Sequence, residues 1–373
     1  MIDDRSTVDW KRLRPNLVVA PGDPLYAWRP DTWNGGERLA ALLAAGMGPL
    51  VIAGPPGSGK STELAAAASE LAKNYATLLV PLDPLVSGQP FDARRLAVAL
   101  THAVARDLTG RGVELAPEVQ SALRLSTSPW LGAQYDGIEL LLHLLRAARS
   151  LPGSQPVALL IDGLDKCTAA TARAIASDLR PLAREAPLAL VLAPSAVTGP
   201  EAHELLRSFR LCPVGAVPIS LDLPGTSPMD AWKFLSAIAL QRLGWAGWPG
   251  NVEKYAYKAA LCSAGLPRSF LLFLQDVAGY SGISGHGRVT RAGMRMTYRL
   301  HHESAIRLLC AGDLPDLERA KGTNGSELPL AAKLRLLDQG LVLEYEGDGK
   351  IIVQPHPILT EYGVSPIADG AFL

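Results

Sequence analysis

The octapeptide Gly54-Pro55-Pro56-Gly57-Ser58-Gly59-Lys60-Ser61 constrains this chain more than any other stretch. It matches the spacing G-x-x-x-x-G-K-[ST], which works in one setting: a buried strand leads in and a helix opens at the Lys. Both flanks are present. Leu50-Val51-Ile52-Ala53 is an unbroken apolar run, and the Ala- and Leu-rich stretch from Ser61 reads as a helix to about Asn74. The glycines let the backbone curl with its N–H groups turned inward, forming a cradle for phosphate oxygens. Lys60 then reaches β- and γ-phosphates, and the Ser61 hydroxyl ligates Mg2+. The candidate nucleotide-binding set is Gly54, Pro55, Gly57, Ser58, Gly59, Lys60, Ser61 and Thr62. A plain Gly-rich turn is the alternative.

Apolar runs bounded by Pro or Gly recur at 76–82, 157–162, 188–193 and 216–223, and read as buried strands. Helical stretches separate them, at about 92–109, 134–150, 168–185 and 200–209. Such alternation specifies an α/β fold with a parallel sheet covered on both faces. A phosphate loop also needs a second carboxylate for its metal. Asp162, closing the run Val157-Ala158-Leu159-Leu160-Ile161, supplies it, or else caps the following helix. The next position, where an Asp-Glu pair would carry a base, is Gly163. Asp165 is the nearest carboxylate to polarise water, with an N-cap near Thr168 as its other reading. Lys166 stands beside it, so slow turnover is expected. No Asn-Lys-x-Asp guanine reader occurs, which leaves ATP rather than GTP.

At 373 residues and a prior of about 150 per domain, two to three domains are expected. Residues 1–33, rich in Pro, Trp and charge, read as an irregular linker in which Tyr26, Trp28 and Trp33 either wall an adenine or simply pack. The strand signal stops at 225–228, and 229–280 reads as helical. A Gly-rich hinge at 281–287 is followed by helix to about 312, a helix over 330–340, and runs at 341–345 and 351–353 flanking Gly347-Asp348-Gly349. Helices closed by a two-stranded hairpin suggest a winged-helix module.

Lys+Arg and Asp+Glu both number 36, so no global positive excess points to nucleic acid or an anionic membrane. Arg288, Arg291, Arg295 and Arg299 do form a stripe at helical spacing, for nucleic acid, an acidic partner, a neighbouring subunit, or only solvent. Residues 286–373 carry 10 basic against 11 acidic side chains, which limits any DNA affinity to weak. The four cysteines form no CxxC pair, against a zinc ribbon or a disulfide framework. The N-terminus lacks an apolar core, and the apolar stretch 39–54 is broken by Gly46, Gly48 and Pro49. A cytoplasmic protein without a membrane span is expected.

Taken together, the chain resembles AAA+-type ATPases of the STAND/NACHT-related branch, which includes bacterial signalling and antiviral-defence ATPases and, more remotely, origin-recognition-type initiators. The resemblance spans about residues 34–362. It rests on 57–64 (Gly-Ser-Gly-Lys-Ser-Thr-Glu-Leu), 161–165 (Ile-Asp-Gly-Leu-Asp), 265–268 (Gly-Leu-Pro-Arg) and 356–359 (His-Pro-Ile-Leu). It implies a P-loop ATPase domain over 34–225 with strand order 5-1-4-3-2, a helical lid over 226–285 and a winged helix over 286–373. It also implies roles for single residues. Ser195 would be a sensor, although Ala193-Pro194-Ser195 lacks the Arg often found there. Pro267 would lie against adenine and Arg268 near the γ-phosphate, unless Arg268 pairs with a local carboxylate. Arg207 or Arg210 would be a trans-acting finger or part of a solvated face. His356 would touch the ADP β-phosphate, or else pack between Pro355 and Pro357.

The function so implied is an ATP/ADP- and Mg2+-dependent regulatory switch. Opening would expose a surface for self-assembly or for an effector encoded separately. The alternative is a DNA-associated initiator or loader.

Overall fold

Four consecutive apolar residues can bury both faces of a strand, and β1 (Leu50–Ala53) does so throughout. The computed structural model describes residues 10–29, 35–82, 92–115, 117–126, 137–150, 155–219, 227–250, 252–283, 289–323, 325–347 and 350–360. Within them β1 joins β2 (Ala76–Pro81), β3 (Val157–Asp162), β4 (Leu188–Leu192) and β5 (Arg210–Pro213) in one parallel sheet, ordered β2-β3-β4-β1-β5. From the other edge this is the expected 5-1-4-3-2. Leu50 lies opposite Ala189 of β4 and Arg210 of β5, which fixes the register on both sides of the strand that feeds the loop.

Residues 216–223 do not supply the fifth strand. That strand is the short edge segment 210–213, while 214–219 is irregular and 220–223 lies outside the described residues. Residues 216–219 are buried as expected, but the backbone of 214–219 faces other partners. Val217 N–H donates to Gly265 O (3.1 Å), and Gly215 O accepts from Arg29 (2.6 Å).

By contacts the chain divides into two units. The sheet unit takes Gly36–Ala53 and Ser61–Pro213. The helical unit takes the described residues up to Gly35, then Gly54–Lys60, then those from Val214 onward.

In the sheet unit run α1 (Gly36–Ala44), α2 (Lys60–Leu71, whose first residue belongs to the other unit), α3 (Ala93–Gly110), α4 (Pro117–Ser126), α5 (Gly137–Ser150), α6 (Ala169–Leu179) and α7 (His203–Ser208). Asp92 caps α3 by accepting from Arg95 N–H, and the helix buries Leu96, Leu100, Val104 and Leu108 at four-residue spacing. Glu63 of α2 accepts from Gly36 N–H (2.8 Å), so one helix caps the start of another. A Cβ on Gly36 would lie 2.3 Å from the Ala66 Cβ, so that contact requires glycine.

The helical unit contains α8 (Pro228–Leu243), α9 (Val252–Cys262), α10 (Pro267–Ile283), α11 (Arg291–Ile306), α12 (Asp313–Thr323), α13 (Leu330–Asp338), the hairpin β6 (Val342–Gly347) and β7 (Lys350–Pro355), and α14 (Pro357–Thr360). Ser227 caps α8, Pro228 follows at its first position, and Gly244 ends it in the left-handed region.

Residues 10–29 are not a free linker. A short turn at Trp10–Leu13 is packed in, with Leu13 fully buried. The buried Arg242 guanidinium donates to the carbonyls of Leu13 (2.6 Å), Arg14 and Leu17 (3.2 Å). A cation in an apolar core needs such acceptors, and this segment provides them.

The start of α12 carries a pH dependence. The fully buried Asp313 accepts a two-pronged bond from Arg335 and one from Cys310 N–H (2.6 Å). The Arg335 guanidinium holds this carboxyl below the usual carboxylate range. A depressed folded-state value means the contribution is present above the unfolded pKa of about 4 and is lost as pH falls through the folded value. In urea unfolding at pH 7, Asp313→Asn should therefore be less stable than the parent, with the gap closing on acidification. No helix among the described residues is long and apolar enough to cross a membrane.

Candidate functional site

The chain leaves β1 at Gly54 and enters α2 at Lys60, so strand, loop and helix follow in the order the motif demands. Gly57 and Gly59 both have positive φ, which lets the loop curl without a Cβ penalty. Gly54 is required sterically, because a Cβ there would lie 2.0 Å from Val214 O. Lys60 is buried and its ammonium donates to Gly54 O (2.8 Å) and Pro55 O (3.2 Å), which holds the charge within the loop. The Ser58 hydroxyl is fully buried and has no hydrogen-bond partner among the described residues. An orphaned donor inside a curled, cationic loop suits an anion.

The turn between α9 and α10 reaches the loop. Arg268 N–H donates to Gly57 O (3.3 Å), and the Arg268 Cβ would be 3.1 Å from a Cβ on Gly57. Pro267 is the first residue of α10 and half-buried, while the Arg268 side chain is exposed. The 265–268 motif and the phosphate loop are thus in contact. Arg29 is a residue the sequence reading missed. Its guanidinium, 4% exposed, donates to Ser58 O (2.7 Å) and Gly215 O (2.6 Å). Nearby, Tyr26 is buried and Trp28 exposed, their rings edge to face at 4.9 Å. Trp33 lies outside the described residues.

In the sheet unit, Ser61 and Thr62 open α2 half-buried. Asp162 ends β3, also half-buried, and its carbonyl accepts from Leu82 N–H (3.0 Å). Neither Asp162 nor Asp165 caps α6: Thr168 does, accepting from Thr171 N–H. Asp165 lies in a single turn, Leu164–Lys166, entered through Gly163 in the left-handed region. Burial first, and then the Asp165 carboxylate, pushes the Cys167 thiol up. Ser195, buried in the turn after β4, accepts through its carbonyl from Arg173 (3.3 Å). Arg207 on α7 and Arg210 at the start of β5 are both exposed.

Of the two readings of His356, the described contacts match packing. His356 lines a cavity with Cys262, Ser269, Phe273, His301 and Gln339, and no residue of 54–60 shares that cavity. Its Nδ1 accepts from Ile358 N–H (3.2 Å). Burial and then His301 lower its pKa to about 4, so at neutral pH it carries no charge for a charge-assisted bond to a diphosphate. The stripe also changes character. Arg288 lies outside the described residues, Arg291 and Arg295 are half-buried, and Arg299 pairs with Glu303 (2.8 Å).

Residues 37–192 match the AAA ATPase domain. The match takes in Lys60, Ser61, Asp162 and Asp165, and ends with β4. Among solved structures, the Walker-type ATPase PABY2304 of Pyrococcus abyssi is 13% identical, with a TM-score of 0.50 over 90% of this chain and 99% of that one. The Aeropyrum pernix ORC1 protein in complex with DNA is 16% identical, with a TM-score of 0.49 over 94% of each. Drosophila ORC bound to DNA is 14% identical, with a TM-score of 0.46 over 95% of this chain and 90% of that one. No curated protein matches the chain. The fold is α/β, with the five-stranded parallel sheet of AAA+ P-loop NTPases and a helical C-terminal region.

Proposed function

We propose that this protein is a slowly hydrolysing, ATP-binding switch of the STAND type, with 34–225 as ATPase domain, 226–285 as lid and 286–373 as winged helix. One observation carries the reading: the Arg268 N–H at the start of α10 is bonded to Gly57 O of the phosphate loop. A phosphate held by the loop then alters the seat of a helix, which is what coupling nucleotide state to conformation requires. Lys60 and the loop N–H groups bind the phosphates. Ser61 and Asp162 are oxygen donors of the kind Mg2+ takes, and the ion would neutralise phosphate charge. Asp165, the carboxylate nearest in sequence to Asp162, orients water, and the exposed Arg268 side chain senses the γ-phosphate. Opening presents a surface to a separately encoded effector or to further copies of the chain, in a signalling or defence setting.

Asp162→Ala tests this. ATP binding should persist within about tenfold, while Mg2+-dependent phosphate release falls at least about 100-fold. Sizing in ADP against ATP should show an assembly change that the variant keeps. Turnover unaffected by the substitution would remove Asp162 from the site.

One observation favours a second reading, a DNA-associated initiator. Burial first, then the charges of Lys254 and Arg291, pull the Lys258 ammonium below the usual lysine range, which marks three basic side chains close enough to feel one another. The ORC1 and ORC structures above are of proteins bound to DNA. Tight duplex binding at physiological salt, lost in Lys258→Glu with Arg291→Glu, would carry that reading instead.

A further inference from the structure

Arg29 comes from a segment far from the motif, yet it forks between two backbone carbonyls, Ser58 O in the phosphate loop and Gly215 O in the strip that follows β5. The Ser58–Gly59 peptide is trans, as are all peptides among the described residues. In a planar trans peptide the C=O and the next N–H point opposite ways. Holding Ser58 O on the guanidinium therefore aims Gly59 N–H away from Arg29. A charged donor on the carbonyl also polarises the peptide and strengthens that N–H as a donor. The Gly59 backbone alone would not fix this plane, because φ near +99° is available to glycine among many values. The Phe234 ring, 5.9 Å from the guanidinium carbon, flanks the cation, and Arg242 secures the same segment at residues 13–17.

We propose that Arg29 is a positioning residue for the phosphate loop: its fork between Ser58 O and Gly215 O sets the Ser58–Gly59 peptide plane, so that Gly59 N–H is presented to a bound nucleotide phosphate. This rests on the nucleotide-site reading of 54–61. It makes the N-terminal segment a part of the site, acting through the loop backbone and not by touching ligand. Lysine cannot reproduce it, since a single ammonium lacks the planar fork.

The test compares Arg29→Lys with the parent in ATP and ADP titrations, following the Gly59 amide resonance of the ligand-free proteins. Arg29→Lys should lose about tenfold in affinity for both nucleotides, the worth of one charge-assisted bond, and should move the Gly59 amide. Arg242→Lys loosens the same segment without touching the loop and should leave both readouts in place. Should Arg29→Lys not fold, Arg29→Gln takes its place with the same expectations. Unchanged affinity overturns the proposal. So does an affinity loss with the Gly59 amide unmoved, or an equal response from Arg242→Lys, since each marks general packing. If the parent itself binds neither nucleotide, it is the nucleotide reading that has failed.

Discussion

Lys60→Ala is expected to abolish measurable nucleotide binding. The ammonium is buried and already seated within the loop, donating to Gly54 O and Pro55 O at 2.8 and 3.2 Å. The ammonium itself is already out of water when a phosphate approaches, and alanine offers neither charge nor donor. Losing charge-assisted bonds to phosphate costs about 3 kcal/mol or more, roughly a 100-fold loss of affinity. Calorimetric titration with ATP and with ADP measures it, and a thermal scan checks that the variant is folded. A folded Lys60→Ala protein with parental affinity would end the nucleotide reading altogether.

The second large effect concerns stability. Gly265→Ala should destabilise the fold by about 3 kcal/mol or more, because two penalties coincide there. A Cβ would lie 1.9 Å from Val217 O, and the residue has φ +75°. Its neighbour Ala264 already takes a left-handed φ of 55°, so the turn has no slack to pass on. The Val217 N–H to Gly265 O bond prevents the strip from backing away. Gly279→Ala is the contrast: it lies exposed in α10 with nothing within 4 Å of its would-be Cβ. There alanine should be neutral or add up to about 1 kcal/mol. Urea unfolding of both variants decides the matter, and equal curves would mean the 217–265 contact is not rigid.

The phosphate loop was legible because its chemistry dictates both residue types and spacing, and β1, β3 and β4 because runs such as Val157–Ile161 are too apolar to lie outside; β2 was read as buried too, but it is the other edge of the sheet and exposes Leu79. β5 was not legible. As an edge strand it exposes Arg210 and Leu211, so it looks less like a strand than the buried run after it. Pairing at that edge is decided by Pro49 O, which takes Arg210 N–H (2.8 Å), a long-range partner invisible to local pattern. α4 and α12 were missed for a common reason. Each carries a proline, Pro117 or Pro315, within its first turn, where a proline is tolerated but local pattern does not announce a helix. For Asp165 the sequence left two readings, and the structure removes one of them, since Thr168 caps α6. Arg29 had no signal at all, since a single arginine follows no period and the carbonyls it bonds, Ser58 O and Gly215 O, lie 29 and 186 positions away.

Four residues, Val214 to Val217, gather much of the helical unit. Val214 O closes on Gly54, Gly215 O on Arg29, and Val217 on Gly265, while a Cβ on Gly215 would lie 3.0 Å from Glu344 O. These contacts join residues up to 186 positions apart, and long-range contacts form late. Synthesis delivers the chain N-terminal end first, so the phosphate motif emerges well before its seat. A nascent chain that has passed Ser61 carries every residue of the motif without the strip, turn or hairpin that hold it. Nucleotide capture should therefore wait until Glu344 has left the ribosome, and fragments ending before it should carry the motif and bind nothing.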